Sequence, residues 1–163
     1  MPPCKVILFA TLLLCGGGTV AAQTAAPPQP GIVKAADVAP KPGPVKYFTG
    51  KVTVAELVNP TPPGRAGTGL VAFSAGARSN WHTHPAGQTL YVTEGCGWTQ
   101  REGGEVVRIC KGDTVYVPAG VRHWHGATDK TAMTHLSMTE TVDGRNVDWA
   151  EPVTDAQFRG PSK

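Results

Sequence analysis

At 163 residues, 40% of them hydrophobic and 17% charged, the chain has material for one globular domain and an appendage rather than for two domains. The formal charge of +3 is small and its basic residues are scattered, which excludes nucleic acid as a partner. Composition goes no further than that, and the chemistry has to be sought in the order of the residues.

The amino-terminal stretch MPPCKVILFATLLLCGGGTVAAQ carries one basic residue, Lys5, an apolar run from Val6 to Cys15, and small residues at Val20, Ala21 and Ala22. These are the parts of a secretory signal peptide, so residues 1–22 are expected to be removed after Ala22 and the mature protein to be periplasmic or secreted. The apolar run is shorter than the ~20 residues that cross a bilayer. Leu14 also stands where a lipoprotein signal has a small residue before Cys15. No membrane attachment is expected once the signal is gone.

Residues 23–45, QTAAPPQPGIVKAADVAPKPGPV, are rich in Pro, Ala and Gly and offer few large apolar side chains, the composition of a flexible linker. Residues 46–158 then form the working domain, and residues 159–163 a tail. Cys4 and Cys15 leave with the signal, so Cys96 and Cys110 remain in an oxidising compartment. They flank a hairpin around Glu102-Gly103-Gly104. A register centred on Gly103 would set them opposite one another and permit a disulfide, whereas a two-residue turn would put them on opposite faces.

Within the domain, KVTVAELV, GLVAFSAG, QTLYVTEG, GWTQREGGEVVRI, DTVYVPAG and AMTHLSMTE are alternating or apolar runs cut by Gly, Pro and Asn, which is the pattern of strands joined by turns. NPTPPGRAGTG, from Asn59 to Gly69, is a loop, and TDAQF near the end allows one helical turn. Closely spaced strands without crossover helices imply an all-β antiparallel sandwich or barrel.

All five histidines fall between His82 and His135. Side chains two apart on a strand share a face, so His82 and His84 point one way together, as do His123 and His125. Two such pairs on facing strands converge. Gln88 follows a Pro-Ala-Gly turn that can bring its amide oxygen to the same point, which makes a ligand set of three nitrogens and one oxygen for a divalent metal.

These residues resemble the cupins, small double-sheet barrels that hold a metal at one end. GARSNWHTHPAGQTLYVTEG, from Gly76, matches every spacing of the first cupin motif, with Gln88 in place of the acid. GDTVYVPAGVRHWHGA, from Gly112, matches the second motif through His123 and departs from it at Ala127, where Asn is usual. The resemblance implies a cupin fold with metal ligands His82, His84, Gln88 and His123. The phrases YFTGKV, WHTHPAGQTL, GCGWTQREGG, RHWHGA, AMTHL and VDW are similar to a subgroup of small bacterial single-domain cupins that includes manganese-dependent hydroxynitrile lyases. It implies Mn²⁺ as the cofactor, with Fe²⁺, Zn²⁺ or Ni²⁺ as other ions such a set accepts, a small-molecule substrate such as (R)-mandelonitrile, and a homo-oligomer, dimer or tetramer.

Cyanohydrin cleavage needs the hydroxyl proton removed, and a metal acidifies a bound hydroxyl. Neutral Gln88 leaves the metal's full charge in place, where a Glu would offset part of it. The base is then His135 or His125. His135 is preferred, because His125 stands on the same strand as a ligand and close beside it. Gly69, Val71 and Thr139 are expected to line the substrate pocket, and Trp81, Trp98 and Trp124 to pack in the core or at the barrel rim. Glu94 is expected at a strand end on the surface. Arg78, Arg101 and Arg122 would either orient a carboxylate or be solvated. Two other functions fit the same motifs: a metal-dependent dioxygenase, isomerase or decarboxylase, and a non-catalytic exported protein that binds a small ligand.

Overall fold

The computed structural model describes residues 30–159, so the expected signal peptide lies outside the described residues. Twelve strands follow in chain order: β1 (Lys41–Pro42), β2 (Phe48–Thr49), β3 (Val52–Val58), β4 (Ala66–Phe73), β5 (Arg78–Ser79), β6 (His82–Thr83), β7 (Gln88–Arg101), β8 (Val107–Cys110), β9 (Thr114–Val117), β10 (His123–Ala127), β11 (Met133–Glu140) and β12 (Asp148–Trp149). Every strand pairing is antiparallel. The all-β expectation holds.

The long strand β7 organises the barrel by belonging to both of its sheets. Its first half pairs with β11 on one side and β9 on the other, in a sheet that continues through β4 and β3 to β1. Its second half pairs with β8 and β10, and β10 continues to β5 and β6. The strand bends at Gly95, where φ is +69° and an added Cβ would lie 2.0 Å from the Ala132 carbonyl oxygen. Only glycine tolerates that approach. A register shift in β11 between Thr134 and His135 lies across from the bend, and such irregularities re-aim the following side chain.

Alternation sorts the core. Leu90 and Val92 of β7 point inward and are fully buried while Tyr91 between them is exposed. Val52, Val71, Phe73, Val92, Ile109 and Met133 pack together in one hydrophobic cluster. On β10 both faces are buried: His123 and His125 face the interior, and Trp124 packs on the opposite side with Trp81, Trp98, Val153 and Phe158. The tryptophans are therefore packing residues.

The carboxyl-terminal segment that covers them is held by Arg78. Its guanidinium donates to the Val153 carbonyl from Nε at 3.1 Å and Nη2 at 2.9 Å, pairs with Asp155 at 2.6 Å, and lies over the Phe158 ring. Buried as it is, Arg78 is a structural clamp rather than a solvated or substrate-binding group. Arg122 likewise pairs with Glu102 and Glu151 above the Trp81 ring. The expected helical turn is present at Thr154–Phe158, closed by a reciprocal pair in which the Thr154 amide donates to Gln157 Oε1 at 2.9 Å and the Gln157 amide to Thr154 Oγ1 at 3.2 Å.

Cys96 stands directly opposite Cys110, in the register centred on Gly103, and the two form a disulfide. The second half of the Pro-rich stretch is more structured than its composition suggested. Ala35–Asp37 forms a 3₁₀ turn and β1 pairs Lys41 with Val54 and Pro42 with Thr53. Proline is accepted there because β1 is an edge strand, where a missing N–H breaks no ladder.

Candidate metal centre

The histidines come from four places in the chain and meet at one end of the barrel. His82 opens β6, His123 opens β10, and the two are paired across the strands. His84 follows β6 and precedes the turn Pro85-Ala86-Gly87, in which the Gly87 amide donates to the His84 carbonyl. Gly87 has φ +82°, and a Cβ there would lie 2.6 Å from the Val117 carbonyl oxygen, so the tight turn that delivers Gln88 to the start of β7 requires glycine. Gln88, His82, His84, His123 and His125 are all buried.

Three of the imidazoles are held in the same way. Nδ1 of His82 donates to the Asn80 carbonyl at 2.9 Å, Nδ1 of His84 to the Asn146 carbonyl at 2.5 Å, and Nδ1 of His123 to the Val121 carbonyl at 3.1 Å. A backbone carbonyl accepts only, so each ring is fixed in the tautomer that leaves Nε2 as a bare lone pair. His84 Nε2 is buried with no hydrogen-bond partner. His123 Nε2 lies 3.0 Å from Gln88 Oε1, while the Gln88 amide nitrogen donates to Ser137 Oγ at 3.0 Å. The arrangement is a ring of acceptors turned toward one another, which is what a divalent cation with nitrogen and oxygen ligands satisfies.

Burial keeps these rings neutral. It lowers His82 well below its ordinary value, with the neighbouring His123 adding to the effect. It also lowers His84, and it lowers His123 to about 4. Neutral imidazole is the form that ligates metal.

His125 differs. Its Nδ1 faces another imidazole, His135 Nε2 at 3.2 Å, and not a carbonyl. The ring nitrogens of His82, His123 and His125 lie within 4.8 Å of one another, so geometry alone also admits a set containing His125. The carbonyl-fixed tautomer of His84 and its bare Nε2 favour His84 as the third nitrogen. Burial, then the neighbouring His135, lowers His125 well below its ordinary value, and burial lowers His135 to about 4.

A cavity of about 700 Å³ opens onto this cluster and is lined by His82, His84, Gln88 and His125. His135 is not among its lining residues; it sits behind His125 and against Phe73. Of the three expected pocket residues, Val71 lines the cavity, and Gly69 and Thr139 do not. Gly69 has no side chain to project, and Thr139 lies level with Gln88 on the adjoining strand.

Several contributors carried no signal of their own in the sequence. Asn146 and Val121 act through carbonyls, which any residue supplies. Trp149 stands 4.9 Å from the His82 ring and stacks on Tyr47 at 4.6 Å, placed by the short pairing of β12 with β6. Ser137 could have been found from its inward face on β11, but its bond to Gln88 depends on how β7 and β11 pair.

Residues 69–139 match the cupin domain model. The chain is 53% identical over 117 residues to the (R)-mandelonitrile lyase of Granulicella tundricola, an alignment that covers 72% of this chain and 89% of that protein. Among solved structures, a cupin-like protein of Thermotoga maritima superposes with a TM-score of 0.70 at 36% identity, covering 72% of this chain and 90% of the other. A predicted oxalate decarboxylase of the same organism shares the fold at 19% identity, with a TM-score of 0.59 and coverage of 68% and 99%. Barrel, paired motifs and relatives agree, and the chain belongs to the cupin family.

Proposed function

We propose that this cupin is a metal-dependent lyase that cleaves or forms cyanohydrins of the (R)-mandelonitrile kind. The observation that carries the proposal is the set of acceptors His82 Nε2, His84 Nε2, His123 Nε2 and Gln88 Oε1, all neutral, beside a further imidazole, His125, in an apolar-walled cavity. A relative named for this activity at 53% identity supports it.

A divalent cation bound by that set, with Mn²⁺ the choice that the sequence resemblance implies, would supply Lewis acidity toward a substrate hydroxyl. The residues of the chain do the rest. Gln88 is oriented by its bond to Ser137 and contributes no charge, so the cation's pull on oxygen is undiminished. His125 lines the cavity, and with Nδ1–H donating to His135 its Nε2 is free to take the hydroxyl proton. As the proton leaves, the carbon–cyanide bond breaks with its electron pair on cyanide, the carbonyl forms, and the proton held at His125 passes to cyanide. His135 thereby acts as the residue that fixes the tautomer of His125, a reversal of the order in which the sequence ranked them.

The deciding experiment is elemental analysis of the purified protein together with anaerobic turnover of racemic mandelonitrile. Stoichiometric metal and release of benzaldehyde without oxygen support the lyase. A dependence on oxygen, or metal without turnover, would replace it with an oxygenase or a binding protein.

A further inference from the structure

The family match begins at residue 69, yet much of the cavity wall comes from before it and after it. Val33, Val38 and Pro42 of the stretch whose composition reads as a linker, with Phe48 just beyond and Trp149 near the other end of the chain, face the same chamber as His82. We infer that the segment from Val33 to Pro44 is the substrate-selecting wall of the metal site, and that the open chamber it borders takes hydroxy nitriles with an apolar substituent larger than one phenyl ring. The inference rests on the cyanohydrin reading for the identity of the reacting group, and on the chamber alone for the substituent.

Size comes first. Chambers of about 300–1,000 Å³ enclose drug-sized ligands, and a single-ring cyanohydrin is much smaller than that. This one, at about 700 Å³, has room to spare beside the histidines. Its chemistry is the second point. Trp149 lies against the His82 ring at 4.9 Å and meets Phe48 edge-on at 5.4 Å, so the surface nearest the reacting centre is aromatic. Val38 and Pro42 extend it with aliphatic surface. The charged residues at the chamber, Asp37, Lys41 and Glu56, are exposed and of mixed sign, which selects no ionic substrate.

Anchoring is the third point, because a wall must hold its place to select. The segment is tied down at β1, where Lys41 and Pro42 pair with Val54 and Thr53 and the Gly43 amide donates to the Val52 carbonyl at 2.9 Å. Val38 is half-buried directly before that anchor. The 3₁₀ turn at Ala35–Asp37 buries none of its own residues, so the place of the segment is set by the β1 pairing that follows it.

The test uses the full mature chain with metal and compares the cyanohydrins of acetone and of 2-naphthaldehyde, together with binding of the uncleavable alcohols 2-propanol and 2-naphthylmethanol by calorimetry. The wild type is expected to favour the naphthyl member of each pair at least tenfold, in kcat/KM and in Kd, since a fused ring system buried on an apolar wall is worth about that or more. Val38→Trp and Ala39→Trp, which fill the wall side of the chamber from outside the barrel core, should each lower the naphthyl-to-acetone ratio of kcat/KM at least fivefold, mostly through KM. A wild type without the tenfold preference, or a ratio that moves by less than fivefold in both variants, would overturn the inference. If no cyanohydrin is cleaved while the alcohols are still discriminated and the variants shift that Kd ratio fivefold, the lyase proposal fails and the selecting wall stands.

Discussion

His123 Nε2 and Gln88 Oε1 face each other across 3.0 Å, and with the His123 proton on Nδ1, toward the Val121 carbonyl, each turns a lone pair to the other. The Val121 carbonyl holds the His123 proton on Nδ1, and Ser137 holds the Gln88 amide nitrogen turned away. Two acceptors at this distance repel unless a cation lies between or beside them. The fold thus presents a demand for positive charge.

That demand separates the two candidate nitrogen sets. His84→Ala, like His82→Ala and His123→Ala, should lower metal content to a small fraction of stoichiometric, because losing one of four ligands weakens a site by orders of magnitude. His125→Ala should keep its metal and lose turnover. Elemental analysis after dialysis against a weak chelator checks this. Metal retained in the His84 variant and lost in the His125 variant would exchange their roles.

Ligand charge can be varied with little change of shape. Gln88→Glu should hold metal as well as the wild type or better, since carboxylate is a stronger oxygen ligand. Its charge offsets part of the cation's pull on the substrate hydroxyl, and each pKa unit so lost corresponds to about 1.4 kcal/mol, of which part reaches the barrier. A fall in kcat of several-fold to about a hundredfold is expected at neutral pH, with the optimum moving upward. Rates on mandelonitrile at equal metal occupancy, across pH, give the answer, and an unchanged profile would remove ligand charge from the mechanism.

His135 should act through His125. His135→Phe keeps the packing against Phe73 but removes the acceptor for His125 Nδ1. Turnover should fall about tenfold or more with KM little changed, and the pH profile should shift as the His125 tautomer is released. A variant that loses only thermal stability, with kcat and profile intact, would make His135 a packing residue.

Acid should destabilise the metal-free protein, and the sign follows from burial. His135 has a folded pKa of about 4, below the ordinary 6.5 of the unfolded chain. The unfolded state therefore binds its proton first. The stabilising contribution is complete above pH 6.5 and is lost as pH falls from there toward 4, at about 1.4 kcal/mol per pH unit for one such histidine. Urea midpoints of chelator-treated protein between pH 7 and 4 should drop accordingly, and the slope should be shallower in His135→Phe. Equal slopes would show that His135 does not contribute.

The disulfide joins residues 14 apart in sequence across one hairpin. A loop of about that length contributes ~3 kcal/mol, so the double variant Cys96→Ser/Cys110→Ser should unfold at clearly lower denaturant than the wild type while keeping its metal. Two free thiols titrated in the unreduced, denatured wild type would contradict the bond.

What the sequence determined by itself was local and periodic. Alternation marked the strands, and Gly, Pro and Asn marked their ends. Two histidine pairs at a spacing of two, with Gln88 after a Pro-Ala-Gly turn, declared which side chains share a face, because in an extended chain that depends on neighbours alone. The spacing of both motifs was legible for the same reason.

What only the tertiary structure decided depends on which strands lie beside which. Register put Cys96 opposite Cys110, a choice the hairpin sequence left open. Pairing of β7 with β11 brought Ser137 to Gln88 and set His135 behind His125, out of the cavity, so which of the two histidines faces the chamber could not be read from their positions along the chain. Arg78 became a buried clamp because the carboxyl-terminal segment returns across it from 75 residues away. The Pro-rich stretch before the barrel shows the same limit: composition reports how little core a segment can build, but Val38 and Pro42 line the chamber because β1 finds an edge of the sheet to pair with, and that edge exists only once the barrel has formed.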